Sequence, residues 1–185
     1  MIIGLAGLAG SGKNTVADIL CELMPGTRQI AFADPLRRIA ADLWDIHPHL
    51  MADPELKEIR IPEWGLSPRQ ILQRLGTEVG RQIHPETWTR YVERQINTYS
   101  YDGWIITDVR FPNEVALIDK MGGEVWWVER DGAGSQSGAG HSSETLAARM
   151  ADDMDRRIDN SGTLMDLRHA VALTLNQALD CACTV

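Results

Sequence analysis

The sequence predicts an α/β fold in which helices cover both faces of a mainly parallel sheet. Residues 2–6 are a short apolar run that leads through a Gly-rich turn into a segment with helical spacing. Further apolar runs at 29–32, 104–107 and 125–128, and a brief last strand expected at 157–158, alternate with helical segments. Such alternation is typical of parallel strands joined by crossover helices, and ligands of these three-layer folds bind at the carboxyl ends of the strands.

The helices are predicted from their spacing and from their start and stop signals. Proline suits a first helical turn, serine or threonine caps a helix amino terminus, and glycine commonly ends a helix. The last strand precedes Thr163-x-x-Asp166, which resembles a helix start. These signals predict helices over 13–24, 35–44 and 112–121, and others that begin near Ser67, after Pro85, near Ser142 and at Thr163.

Length and composition favour one soluble domain. The 185 residues suffice for one hydrophobic core, and we predict a single domain over 1–185. The formal net charge of −8 disfavours nucleic acid as a partner, because non-specific nucleic-acid binding requires positive potential. No segment has the pattern of a signal peptide or membrane span, and the three cysteines form no disulfide framework. We expect a cytoplasmic protein, and the sequence does not decide between a monomer and a homodimer.

Two segments lack a clean hydrophobic period. Residues 45–65 contain three prolines and are predicted to form an excursion over the surface. Residues 131–140 are rich in glycine and small polar residues, and we predict a mobile loop there.

The strongest functional signal is a GxxxxGK sequence from Gly7 to Lys13, which lies between a predicted strand and a predicted helix. Glycines allow backbone amides to surround a polyphosphate, the helix amino terminus adds positive potential, and Lys13 neutralises charge on the outer phosphates. This P-loop predicts binding of ATP by Ala9, Gly10, Ser11, Gly12, Lys13, Asn14 and Thr15.

The residue after Lys13 departs from the usual motif. Asn14 occupies the position at which serine or threonine usually ligates Mg²⁺, and the first hydroxyl follows at Thr15. Because Mg²⁺ readily keeps its waters, we expect Thr15 and Asp108 to hold the ion through water.

Asp108 and Arg110 form the second candidate cluster, within the sequence DVRFPNE. Asp108 follows an apolar strand, so it is predicted at the sheet edge that also carries the P-loop, where it can organise a metal or a substrate. Arg110 can stabilise charge during phosphoryl transfer. We predict Lys13, Asp108 and Arg110 as catalytic residues, although a buried Asp/Arg pair that stabilises a loop fits the second cluster too.

A third cluster lies in the middle of the chain. Arg69, Gln73 and Thr77 share a helix face by spacing, and Gly76 and Arg81 lie beside them. The cluster suits a phosphate and a base edge, and a solvated helix face explains the spacing equally well. Trp88 is a candidate for base stacking or for the hydrophobic core.

Residues around the glycine loop suggest a lid. Arg130 precedes the loop and His141-Ser-Ser-Glu144 follows it. Together they predict a lid over 130–143 that closes over ATP, with Arg130 among the ATP-binding residues.

These motifs, with Ala31-Phe-Ala-Asp-Pro-Leu36 and LQRLGTEVGR at 72–81, resemble the bacteriophage deoxynucleoside monophosphate kinases. The resemblance extends along most of the chain and is weakest at 45–65 and in the final helix. It implies an adenylate-kinase-like P-loop fold and transfer of the ATP γ-phosphate to a deoxynucleoside 5′-monophosphate. It also implies that the acceptor lies near Arg69, Gly76, Thr77, Trp88, Asp108, Arg110 and Glu114, and we add Asp34 and Gln73 as acceptor-binding candidates. Residues 45–65 are expected to include an acceptor-closing segment.

Two other functions remain consistent with the residues. One is a P-loop kinase for another small molecule, such as the alcohol of a coenzyme precursor, in which Asp34 would accept the hydroxyl proton. The other is a nucleotide-binding switch that has no phosphoryl acceptor. The several arginines favour a second anionic substrate over both alternatives.

Overall fold

The computed structural model describes residues 1–134 and 154–182, and these fall into two compact units. The sheet unit comprises Met1–Ala31 and residues from Gln95 to the carboxyl terminus, and the helical unit comprises Phe32–Arg94. The prediction that 1–185 form a single domain stays a prediction.

The sheet unit contains a five-stranded parallel sheet in the order β2-β3-β1-β4-β5. Because β1 is the central strand, the turn that follows it lies at the middle of the sheet's carboxyl edge. The strands are β1 (Ile2–Ala6), β2 (Thr27–Ile30), β3 (Gly103–Val109), β4 (Glu124–Glu129) and β5 (Arg156–Asp159).

Helices α1 (Lys13–Leu23), α7 (Pro112–Lys120) and α8 (Leu164–Ala182) cover this sheet. Side chains alternate between the two faces of a strand. Ile3 and Leu5 of β1 therefore pack in one core cluster with α1 and α8, whereas Gly4 between them meets Ile118 of α7. Helices thus lie on both faces of the parallel sheet, which confirms the predicted fold class.

The helical unit consists of short helices with one π-helical segment. They are α2 (Asp34–Trp44), α3 (Pro48–Ala52), a 3-10 turn (Leu56–Glu58), α4 (Pro68–Gln73), the π segment (Arg74–Gly80), α5 (Arg81–Ile83) and the part of α6 (Thr87–Thr98) up to Arg94. A small core of Ala40, Ile46, Met51 and Ile71 holds them together.

The predicted surface excursion at 45–65 is wrong for its first part. Ile46 and Met51 are buried in the small core, and Met51 belongs to α3. The short helix has its own start signal, because the ring of His47 accepts a hydrogen bond from the amide of His49 and Pro48 occupies the first turn. The three prolines of this segment indicated a loop, and a helix of only five residues is too short to show a helical period.

The observed helix starts agree with the predicted positions more closely than the observed strand ends do. Ser67 and Gln70 form the predicted capping box, and Thr163 exchanges hydrogen bonds with Asp166 before α8. By contrast, β2 begins and ends two residues before the predicted 29–32, and β3 continues through Asp108 to Val109.

Of the helices in the described parts of the chain, none has the length and apolar character that a membrane span requires.

Candidate active site

The P-loop runs from Gly7 to Lys13 between β1 and the amino terminus of α1, as predicted. Gly7 has a φ of 146°, and a Cβ atom there would lie 2.3 Å from the carbonyl oxygen of Val128. Gly12 is left-handed, with a φ of 94°, at the cap of α1. Only glycine satisfies both the backbone angle and the space at these two positions.

Lys13 lies against the loop it follows. Its Nζ donates hydrogen bonds to the carbonyl oxygens of Gly7 at 2.8 Å and Leu8 at 2.9 Å. Asn14 and Thr15 are exposed in the first turn of α1. The loop therefore combines a held ammonium group, a helix amino terminus and glycine-rich backbone, which together suit a polyphosphate.

Asn160 is a residue of this loop region that sequence reasoning missed. It directly follows β5, and its Nδ2 donates to the carbonyl oxygen of Ser11 at 2.8 Å. Gly134, after β4, donates its amide to the carbonyl oxygen of Ala9 at 3.0 Å. The signal that identifies Asn160 is a polar residue at a strand's carboxyl end, the same signal that indicates Asp108.

Asp108 lies inside β3, next to β1, and not after the strand as predicted. The pairing of β1 with β3 is irregular here, because Gly4 pairs with Ile106 whereas Ala6 pairs with Val109. Three residues of β3 therefore match two residues of β1, as in a β-bulge, a feature common beside active sites. Asp108 is half-buried at this irregular strand end.

Glu114 determines the backbone of the turn that carries Arg110. Its carboxylate is buried, with 2% of the residue exposed, and it accepts hydrogen bonds from the amides of Arg110 at 2.7 Å and Phe111 at 3.1 Å. The turn leads into α7, so the buried carboxylate also lies where the helix dipole favours negative charge. Arg110 itself is half-buried.

In the helical unit, Gly76 and Thr77 lie in the π segment and Gln73 immediately precedes it. A π-helix is rare and frequently marks a functional site. Trp88 is buried, and its Nε1 donates to the carbonyl oxygen of Gly76 at 2.9 Å. The indole also lies against Gly80, where a Cβ atom would be 2.0 Å from Cζ2. In this structure Trp88 packs on the π segment, and its stacking on a base stays a prediction.

The helical unit also contains a cavity of about 390 Å³, which we call the arginine pocket. Arg37 pairs with Asp34 at 3.0 Å. Arg38 donates to the hydroxyl of Tyr91 at 2.7 Å, and its guanidinium carbon lies 5.4 Å from the centre of that ring. The pocket is lined by Asp34, Arg37, Arg38, Ala41, Pro48, Met51 and Tyr91. Sequence reasoning had selected only Asp34 of this set.

The remaining candidate residues are placed as follows. Arg69 forms an ion pair with Glu58 of the 3-10 turn. Arg130 is exposed at the end of β4, in a turn in which the amide of Asp131 donates to Ser161. Residues 135–143 of the predicted lid, most of the predicted glycine loop and the helix expected near Ser142 lie outside the described residues.

The chain is similar to known proteins in its fold. Shikimate kinase from Aquifex aeolicus superposes with a TM-score of 0.58 at 12% sequence identity, over 97% of this chain and 98% of that one. At this identity the similarity shows the fold alone. With the sheet order and the position of the Gly7–Lys13 loop, it confirms the predicted P-loop NTPase fold.

Sequence comparisons identify the family. A protein of Acanthamoeba polyphaga mimivirus named as a deoxynucleotide monophosphate kinase is 31% identical over 150 residues, covering 73% of this chain and 77% of the viral protein. The deoxynucleoside-5′-monophosphate kinase of Escherichia phage T5 is 28% identical over 180 residues, covering 64% of this chain and 71% of the phage protein. The family model described as deoxynucleotide monophosphate kinase matches residues 56–171, which is more than half of the chain. The chain belongs to the deoxynucleotide monophosphate kinase family.

Proposed function

We propose that this protein transfers the γ-phosphoryl group of ATP to the 5′-phosphate of a deoxynucleoside monophosphate. The observation that carries the proposal is the P-loop itself, in which positive-φ glycines and the Lys13 amine surround the start of α1. The acceptor class rests on the family, whose named members in mimivirus and phage T5 are kinases of deoxynucleotide monophosphates.

On the ATP side, we assign phosphate binding to the backbone and side chains of residues 9–15. Amides at a helix amino terminus donate to phosphate oxygens, and the helix dipole favours the negative charge. When phosphates bind, the Lys13 ammonium group exchanges carbonyl partners for phosphate oxygens, which are stronger acceptors because they are charged. Arg130 is the further ATP-binding residue that we propose.

The proposed transfer needs charge stabilisation more than proton removal. A phosphate monoester is already mostly ionised at neutral pH, so one of its oxygens attacks the γ-phosphorus directly. A new P–O bond forms, the bond between the γ-phosphorus and the β–γ bridging oxygen breaks, and the electron pair remains on ADP. We propose that Lys13 and Arg110 stabilise the charge that spreads over these oxygens in the transition state.

Mg²⁺ is the metal expected for this chemistry, and it neutralises charge on the β- and γ-phosphates when bound. Within residues 1–134 and 154–182, no group of three or more His, Cys, Asp or Glu side chains is arranged to hold a metal. The Thr15 hydroxyl and the Asp108 carboxylate are hard oxygen donors that suit Mg²⁺. We propose that they hold the ion through water, while the substrates' phosphates supply direct ligands.

For the acceptor, we propose two sets of residues. One set is Asp108, Arg110 and Glu114, of which Glu114 acts by holding the Arg110 backbone. The other set is Asp34, Arg69, Gln73, Gly76, Thr77 and Trp88. The arginine pocket supports an anionic ligand within the helical unit, because Arg37 and Arg38 are each held by a neighbouring side chain and outnumber the single carboxylate of Asp34.

The deciding experiment measures ADP formation from ATP and Mg²⁺ with dAMP, dGMP, dCMP or dTMP, and without an acceptor. We expect at least one monophosphate to accelerate ADP formation strongly and to be recovered as its diphosphate. Lys13→Ala protein is the control for contaminating kinases. ADP formation that no monophosphate accelerates would contradict the proposal and favour the two alternatives, the switch and the kinase for another small molecule.

Other expectations from the sequence stay predictions. They are the lid over 130–143, the acceptor-closing segment within 45–65, a cytoplasmic location, the absence of a nucleic-acid partner and the open question of a homodimer.

A further inference from the structure

Asn160 contacts the P-loop at Ser11 and Gly12. Its side-chain Nδ2 donates to the carbonyl oxygen of Ser11, and a Cβ atom built on Gly12 would lie 2.2 Å from the same nitrogen. The backbone of Asn160 is itself held, because its amide donates to the carbonyl oxygen of Glu129 at 2.8 Å. The residue is therefore held at the end of β4 by its backbone amide and at the P-loop by its side-chain carboxamide.

The hydrogen bond to Ser11 determines the direction of a neighbouring donor. The peptide bond between Ser11 and Gly12 is planar and trans, so its C=O and N–H point in opposite directions. With the Ser11 carbonyl directed at Asn160, the Gly12 amide is directed away from Asn160. Rotation of this peptide would change the φ of Gly12, and the left-handed value of 94° is the one that starts α1.

The amide of Gly134 engages the carbonyl oxygen of Ala9 in the same way, two residues earlier. By the same planarity, this contact directs the Gly10 amide away from Gly134. Two alternate peptides of the loop are thus oriented from outside it, one by a backbone group and one by a side chain. The second contact is made by a side-chain donor, which a substitution at Asn160 removes without changing a glycine of positive φ such as Gly134.

We propose that Asn160 is a positioning residue for nucleotide phosphates, which orients the Gly12 amide by holding the Ser11 carbonyl. The proposal rests on the ATP binding assigned above and goes beyond it by naming a residue outside the P-loop motif. Asn160 acts through the peptide and does not touch the phosphates. Its effect is expected wherever phosphates bind the loop, whichever acceptor the enzyme uses.

The test compares three variants in the full chain by calorimetric titration at 15 °C with two probes, ATP and inorganic tripolyphosphate, without acceptor. Asn160→Ala removes the donor. Asn160→Asp retains the shape but places a carboxylate oxygen against the Ser11 carbonyl. Asn176→Ala is the matched control, because Asn176 is exposed in α8 of the same unit.

We expect Asn160→Ala to weaken the binding of both probes by about three- to tenfold, the range that one hydrogen bond supplies. Asn160→Asp should weaken binding further, and Asn176→Ala should bind like the wild type. In turnover assays the KM for ATP should rise while the KM for the monophosphate stays constant. A purely structural role would lower the unfolding temperature without this split.

Three outcomes would overturn the inference. Unchanged affinity of folded Asn160→Ala for both probes would show that the Gly12 amide needs no support. A loss for ATP with none for tripolyphosphate would show that Asn160 serves the nucleoside moiety. If Asn160→Ala does not fold, the near-isosteric Asn160→Asp decides by the same two criteria. A wild-type protein that binds neither probe would refute the proposed function, and this inference with it.

Discussion

Substitution of Glu114 tests whether this buried carboxylate holds the turn that carries Arg110. In Glu114→Ala the amides of Arg110 and Phe111 lose their acceptor inside the protein. A hydrogen bond to a charged group contributes about 1.5–3 kcal/mol to stability. Because both amides share the same Oε2 atom, their contributions do not add fully, and we expect a loss of about 2–4 kcal/mol in the free energy of unfolding.

Glu114→Gln separates charge from shape. An amide oxygen still accepts from the backbone, so we expect a smaller loss, about 1–2 kcal/mol. Urea unfolding at 25 °C measures both losses, and the melting temperature should fall by about 2–4 °C for each kcal/mol in a chain of this size. Glu63→Ala is the control, because Glu63 is exposed and should leave stability unchanged.

Activity distinguishes this role from direct acceptor contact. If Glu114 acts by holding the turn, kcat falls in the order wild type, Glu114→Gln, Glu114→Ala, in parallel with the loss of stability. Glu114→Ala as stable as Glu63→Ala would refute the reasoning. A raised KM for the monophosphate in a fully stable Glu114→Gln protein would instead show that the carboxylate contacts the acceptor.

Three further predictions concern other charged groups. Lys13→Ala should reduce kcat/KM by on the order of a thousandfold or more but unfolding stability by only about 1–2 kcal/mol, and activity within a few-fold of the wild type would contradict its role. Arg110→Lys should lower kcat about a hundredfold and change the affinity for ATP little, because a lysine cannot make the bidentate contacts of a guanidinium with two phosphates. A wild-type rate of transfer in stopped-flow assays, with reduced stability, would show that Arg110 has a structural role. The hydrogen bond from Arg156 lowers the pKa of the Glu124 carboxyl below its ordinary value of 4.5. The contribution of this ion pair to the stability of the protein is therefore complete above pH 4.5 and is lost as the pH falls through the lowered pKa of Glu124. Glu124→Gln should be about 1 kcal/mol less stable at pH 7, with a difference that shrinks below pH 4.5 in urea unfolding; a constant difference would exclude the ion pair as its cause.

The sheet unit was predictable because its signals are local. An apolar run followed by Gly7 and Lys13 specifies strand, loop and helix within a dozen residues, and the cap at Thr163 specifies the start of α8. The end of β3 was misplaced because the β-bulge near Asp108 depends on pairing with β1, which lies a hundred residues away in the sequence. Sequence spacing contains no information on such a shift in register.

The helical unit was less predictable for a different reason. Its α3 has only five residues, too few to show a helical period, and is held by the burial of Met51 beside Ile46. The π segment is likewise invisible to spacing rules that assume 3.6 residues per turn. Burial of Trp88 against Gly76 and Gly80 accompanies it, and neither contact follows from propensity.

The candidate site shows the same division between local and long-range determinants. The P-loop lysine was identified from its own neighbours in sequence, whereas Asn160 and the Arg38–Tyr91 pair depend on contacts over 149 and 53 residues. Asn160 nevertheless shares one local property with Asp108, because each is a polar residue where a strand ends at the carboxyl edge of the sheet. In a parallel sheet all such ends meet at one edge, so polarity at a strand's last residues indicates the site even where no motif does. Tyr91 has no comparable signal, since a tyrosine within an amphipathic helix fits a solvent-facing or a core position equally well.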